Sequence, residues 1–126
     1  MKYIDMHCDT IMKVPDNGSS DLLIENPLAG VDFKRMRAGN AMSQFFAMFL
    51  MSDEIFVEEG KKIITDDEYI SNSVKLLKEA VVNCDYIEMA YNYEDLIKNN
   101  NNNKMSAFLT IEDGRSAKSV EKIQEY

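Results

Sequence analysis

From Lys2 to Asp9 the side chains alternate, with Tyr3, Asp5, His7 and Asp9 on one side and Ile4, Met6 and Cys8 on the other. A period of two marks a β-strand, and its apolar side is expected to lie against helices. From Pro15 through Asn17-Gly18 to Ser19-Ser20 the turn chemistry is dense, marking a loop beyond the strand's C-terminal end. Asp32 is placed to cap a short helix from Phe33 to Ala38, and Gly39 is expected to close it in a left-handed conformation. Ala41 to Met51 is almost unbroken apolar sequence, which predicts a strand buried on both faces of a parallel sheet. Gln44 is its polar exception, facing either a polar barrel interior or a structural hydrogen-bond partner.

Thr65 and Glu68 form a capping box. After it, Tyr69, Ile70, Val74, Leu77, Ala80 and Val81 recur at helical spacing to about Asn83. A shorter helix is predicted from the cap Asn92 over Tyr93 to Lys98, and the Asn99 to Asn103 run reads as a mobile surface loop. Met105 to Glu112 predicts a third strand, ending at Asp113-Gly114, with a helical pattern through Val120 and Ile123 to Tyr126. Strands separated by helices are the signature of βα units feeding a parallel sheet.

Composition narrows the functional classes. A chain of 126 residues, 45% hydrophobic, is one compact domain or part of a larger one. A formal charge of −8 argues against nucleic acid and against an anionic membrane surface as partners. Cys8 and Cys84 lack any motif spacing and are expected to stay reduced, which fits a cytoplasmic setting. No segment approaches the roughly 20 apolar residues of a membrane span.

The chemistry concentrates where such folds place their active sites, at the C-terminal ends of the strands. His7, the single histidine, and Asp9 end the first strand; Glu112 ends the third, on the same face as Phe108 and Thr110. One imidazole and two carboxylates suit zinc, manganese or iron. The plainer alternatives are a structural histidine, and a glutamate that stabilises the N-terminus of the next helix. Cys8 points away from the ligands by strand parity and is expected to pack. Asp5 sits two residues before His7, either orienting it as an acceptor or serving as a buried structural carboxylate.

These residues resemble the membrane (renal) dipeptidase family, zinc peptidases of the amidohydrolase superfamily. Ile4-Asp5-Met6-His7-Cys8-Asp9-Thr10 is similar to the family's opening Asp-x-His-x-Asp motif. Val31-Asp32-Phe33 through Arg37-Ala38-Gly39, with Gln44-Phe45, resembles its second-strand region, and Ile111-Glu112-Asp113-Gly114 its Ile-Glu-Gly-Gly motif. The interval from His7 to Glu112 also agrees. Other amidohydrolases mostly carry His-x-His on the first strand, so Asp9 favours the dipeptidase branch. Asp113 in place of a glycine and Arg115 in place of a frequent histidine are departures from that motif.

The resemblance implies an α/β fold comprising the first three βα units of a (β/α)8 TIM-type barrel, incomplete in this chain. Residues 1–126 would be the N-terminal portion of a single dipeptidase-like barrel domain. It implies a binuclear zinc site in which His7 and Asp9 hold the first ion and Glu112, the catalytic carboxylate, bridges both. The activity implied is hydrolysis of dipeptides by a metal-activated water. With one histidine, at most a partial site is present, so the 126-residue chain alone is expected to be inactive. An open barrel segment should expose an apolar face and an unpaired edge, pointing to self-association or to a missing C-terminal portion. The alternative is a non-catalytic fragment that binds a metal or a partner chain.

Overall fold

The computed structural model describes residues 1–125. In chain order its elements are β1 (Tyr3–Cys8), a 3-10 turn at Thr10–Lys13, α1 (Asp21–Ile24), α2 (Phe33–Ala38), β2 (Ala41–Phe49), α3 (Asp53–Glu58), α4 (Asp66–Val82), β3 (Ile87–Met89), α5 (Tyr93–Asn101), β4 (Met105–Glu112), a 3-10 turn at Gly114–Ser116 and α6 (Val120–Glu125). The strands form one sheet in the order β1-β2-β4-β3, every pair parallel. The apolar run therefore becomes the central strand. Ser43 to Phe49 run in unbroken register with Ser106 to Glu112, whereas the β1 to β2 register shifts twice.

β2 is buried from both sides, as its composition predicts. Phe46 and Met48 face the helices, where Phe46 meets Phe33 edge-on at 5.7 Å. Across the sheet Phe45 stacks flat on Phe108 at 4.5 Å, beside the fully buried Ser43, Ala47 and Ser106. Gln44 shares the parity of Phe46, is buried, and donates from Nε2 to the Phe45 carbonyl. Its role is thus structural. The capping box at Thr65 and Glu68 forms as expected, and Tyr69, Ile70, Leu77, Ala80 and Val81 make the buried stripe of α4.

Several expectations are corrected. A fourth strand, β3, is present; it is three residues long, too short to show periodicity, and owes its conformation to pairing with Met105 to Ala107. Ile4 and Met6 do not lie against helices: β1 is an edge strand, and both side chains are exposed, while Cys8 is buried. Gly39 keeps a right-handed backbone, and the left-handed residue is Asn40, at φ 63°. A Cβ at Gly39 would lie only 3.3 Å from the Arg35 carbonyl and the Tyr3 hydroxyl, so close approach is what favours glycine there. The asparagine run is no loose loop. Asn99 to Asn101 complete α5, and buried Asn99 donates from Nδ2 to the Met89 carbonyl and to Ser106 Oγ. The helix after Gly114 begins only at Val120, and the end expected at Tyr126 lies outside the described residues. Cys8 and Cys84 are both buried free thiols.

The sheet is open at both edges. Beyond Ala107 the outer edge of β4 has no strand partner among the described residues, and Leu109 and Ile111 there are only half-buried. No helix among the described residues is long and apolar enough to cross a membrane.

Candidate metal centre

β1 and β4 are not neighbours, because β2 runs between them. Two sheet spacings separate them by about 10 Å, a gap that one imidazole and one carboxylate can bridge only by reaching across the end of the central strand. They do so: His7 Nε2 lies 3.3 Å from Asp9 Oδ1 and 3.3 Å from Glu112 Oε2. One ligand-type atom from each of the three residues falls within 4.8 Å of the others. Asp9 reaches the cluster because the chain turns after β1 into the 3-10 turn at Thr10–Lys13, whose Met12 amide donates to the Asp9 carbonyl. Glu112 is fixed through its main chain, its carbonyl accepting from the Leu50 amide at 3.2 Å.

All three side chains are about half exposed, so water screens their mutual attraction and the ion pairs themselves add little stability. Charge bookkeeping says more. Two carboxylates around one imidazole leave a net negative charge even when the ring is protonated, and a divalent cation would neutralise it. The donor set of one nitrogen and carboxylate oxygens is borderline to hard, matching zinc, manganese or iron rather than a soft metal. The chemistry and spacing of these residues fit a metal ion.

Asp5 does not touch the His7 ring. Its Oδ1 accepts from the His7 backbone amide at 3.1 Å, so it acts on the main chain of the candidate ligand. Cys8 is packed in the core, and burial pushes its thiol above the ordinary range. A network that sequence reasoning did not find lies directly behind Glu112. Arg115 donates through Nε and Nη2 to both oxygens of Asp66, at 3.0 and 2.7 Å, and through Nη2 to the Met51 carbonyl at 2.8 Å. The guanidinium holds the Asp66 carboxyl below its usual range. The only signal in the sequence was an arginine three residues after the candidate ligand; its partner is 49 positions away.

No curated protein matches the chain. Among solved structures it is similar to dipeptidase AC, a metallo peptidase of family M19, at 12% identity and a TM-score of 0.64, covering 90% of this chain and 36% of that one. It is also similar to a metallo peptidase from Rhodobacter sphaeroides, liganded with a phosphinate mimic of the dipeptide L-Ala-D-Ala, at 12% identity and a TM-score of 0.67, covering 90% of this chain and 38% of that one. At this identity the likeness speaks for the fold, and the chain spans little more than a third of either structure. The family model for membrane dipeptidase, peptidase family M19, matches residues 1–126 throughout, and the chain belongs to that family.

Proposed function

We propose that this chain supplies the first half of a binuclear zinc centre that hydrolyses dipeptides. The observation that carries the reading is the convergence of His7, Asp9 and Glu112 from non-adjacent strands onto a single point at the C-terminal end of the sheet. In this reading His7 and Asp9 would hold one ion, and Glu112 would be shared between that ion and a second. A bound divalent metal would supply Lewis acidity toward the scissile carbonyl and would activate water as the nucleophile.

The chain's own residues contribute position and charge. Asp5 fixes the His7 backbone, the turn after β1 delivers Asp9, and the Leu50 amide anchors Glu112. A bridging carboxylate is suited to the task because its negative charge offsets the repulsion between two nearby cations. No second histidine exists to complete the other half, so the isolated chain should hydrolyse dipeptides poorly or not at all. The test is a zinc-supplemented dipeptide panel, run on a polypeptide extended to the length of the structural relatives, beside His7→Ala and Glu112→Ala. Activity confined to the unmodified form is expected; hydrolysis insensitive to both changes would refute the assignment.

A second reading, a non-catalytic module that binds a partner chain, is favoured by one observation. Ile4 and Met6 are exposed along the open edge strand, where a covering element would bury them. A monodisperse monomer in sedimentation with low apolar dye binding would count against it.

A further inference from the structure

We propose that Arg115 is a positioning residue for Glu112, holding Asp113 in a left-handed backbone conformation that turns the Glu112 carboxylate toward His7. The inference rests on the metal-centre reading above. Asp113 directly follows Glu112 and has φ 75° and ψ 106°, a region that residues with a side chain rarely enter. Such a residue persists only where its surroundings over-determine it.

Arg115 meets Asp113 with both its guanidinium and its backbone amide. Besides its two bonds to Asp66 and its bond to the Met51 carbonyl, Arg115 approaches Asp113 Oδ2 through Nη1 at 3.4 Å. Its backbone amide donates to Asp113 Oδ1 at 3.1 Å. The Glu112 carbonyl is thus held by the Leu50 amide and the Asp113 carboxylate that follows it by Arg115, and Leu50 and Met51 are consecutive residues just past β2. The planar fork is needed because one group must serve Asp66 in two parallel bonds while also reaching a carbonyl, which a lysine ammonium cannot reproduce. An ion pair this exposed contributes little to global stability, so its consequence should appear locally.

The experiment measures Co2+ affinity by absorption titration, and the ring resonances of His7, the single histidine, by NMR in the metal-free chain. R115A should weaken Co2+ binding about tenfold, at the low end of what releasing such a strained residue can cost, and should shift the His7 resonances while leaving the circular dichroism unchanged. R115K should recover only part of the loss. Glycine adopts positive φ freely, so D113G should make Arg115 dispensable: in that background R115A should cost less than about threefold and leave the His7 resonances near their original positions. Equal losses in both backgrounds, or no loss in either, would overturn the proposal. Failure of the metal reading is separately visible, as a chain that takes up no Co2+ or as H7A and E112A variants that bind normally; the coupling of R115A with D113G on the His7 resonances then still decides the role of Arg115.

Discussion

Replacing Asp32 tests whether hydrogen-bond accounting predicts stability in the segment that leads into the central strand. Its buried carboxylate accepts from the Arg35 amide at 2.7 Å, capping α2, and from the Asn26 amide at 3.1 Å and Arg35 Nη1 at 2.7 Å. In D32A the lost cap costs about 1 kcal/mol. The Asn26 amide, in a residue only 2% exposed, is left without an acceptor at a cost of about 1–3 kcal/mol. Arg35 is half exposed, regains water, and keeps its bonds to the Asn26 and Ala29 carbonyls, so the broken pair adds about 0–1 kcal/mol. The total is about 3 kcal/mol, a large share of an ordinary domain's stability. D32N retains one carbonyl oxygen, serves one of the two amides, and should lose roughly half as much. Urea unfolding followed by circular dichroism should show the two midpoints falling in that order with unchanged m-values. Equal losses for the two variants, or a loss below about 1 kcal/mol for D32A, would refute the reasoning.

Other outcomes follow from the same structure. N99A should destabilise by about 1–3 kcal/mol in the same assay, because it leaves the Met89 carbonyl and Ser106 Oγ with one fewer donor in the core, whereas N101A, at an exposed position, should be neutral. Asp66 is held below its ordinary range by Arg115, so its stabilising contribution is complete above the unfolded value of about 4 and is lost as pH falls through the lower folded value. R115A should accordingly flatten the acid limb below about pH 4 by lowering stability above that pH, by the modest amount a partly exposed pair contributes, while stability at the acid end stays as it was. Cys8, buried and with its thiol pushed up, should react with a thiol reagent at pH 8 only as fast as the chain opens, and addition of urea should accelerate it sharply.

Much of this architecture is legible in local pattern. The capping box at Thr65 and the caps at Asp32 and Asn92 depend on residues three apart, and each forms. The strands at Ala41 and Met105 are long enough to declare themselves, by an apolar run and by a strand's length between helices. What was not legible depends on partners distant in sequence. β3 exists because Met105 to Ala107 lie beside it, and Asn99 is buried because Met89 and Ser106 need its amide. Ile4 and Met6 alternate like a half-buried strand, yet nothing among the described residues covers them. For the site, the sequence grouped His7 with Asp9 by strand parity and set Glu112 at a strand end, but β1 stops at Cys8 and Asp9 reaches His7 through the turn that follows. That β2 lies between their strands, and that Arg115 stands behind Glu112, required the fold.

The claim that His7, Asp9 and Glu112 form one cation site is tested most directly by calorimetric titration of the chain with Zn2+, beside H7A, D9A and E112A. Saturable binding is expected in the unmodified chain and a loss of at least about tenfold in each variant, larger than that of the E121A control on α6, since removing even a supporting partner of a ligand costs about 10–100-fold. Affinity equal to that of the unmodified chain in any one of the three would contradict it.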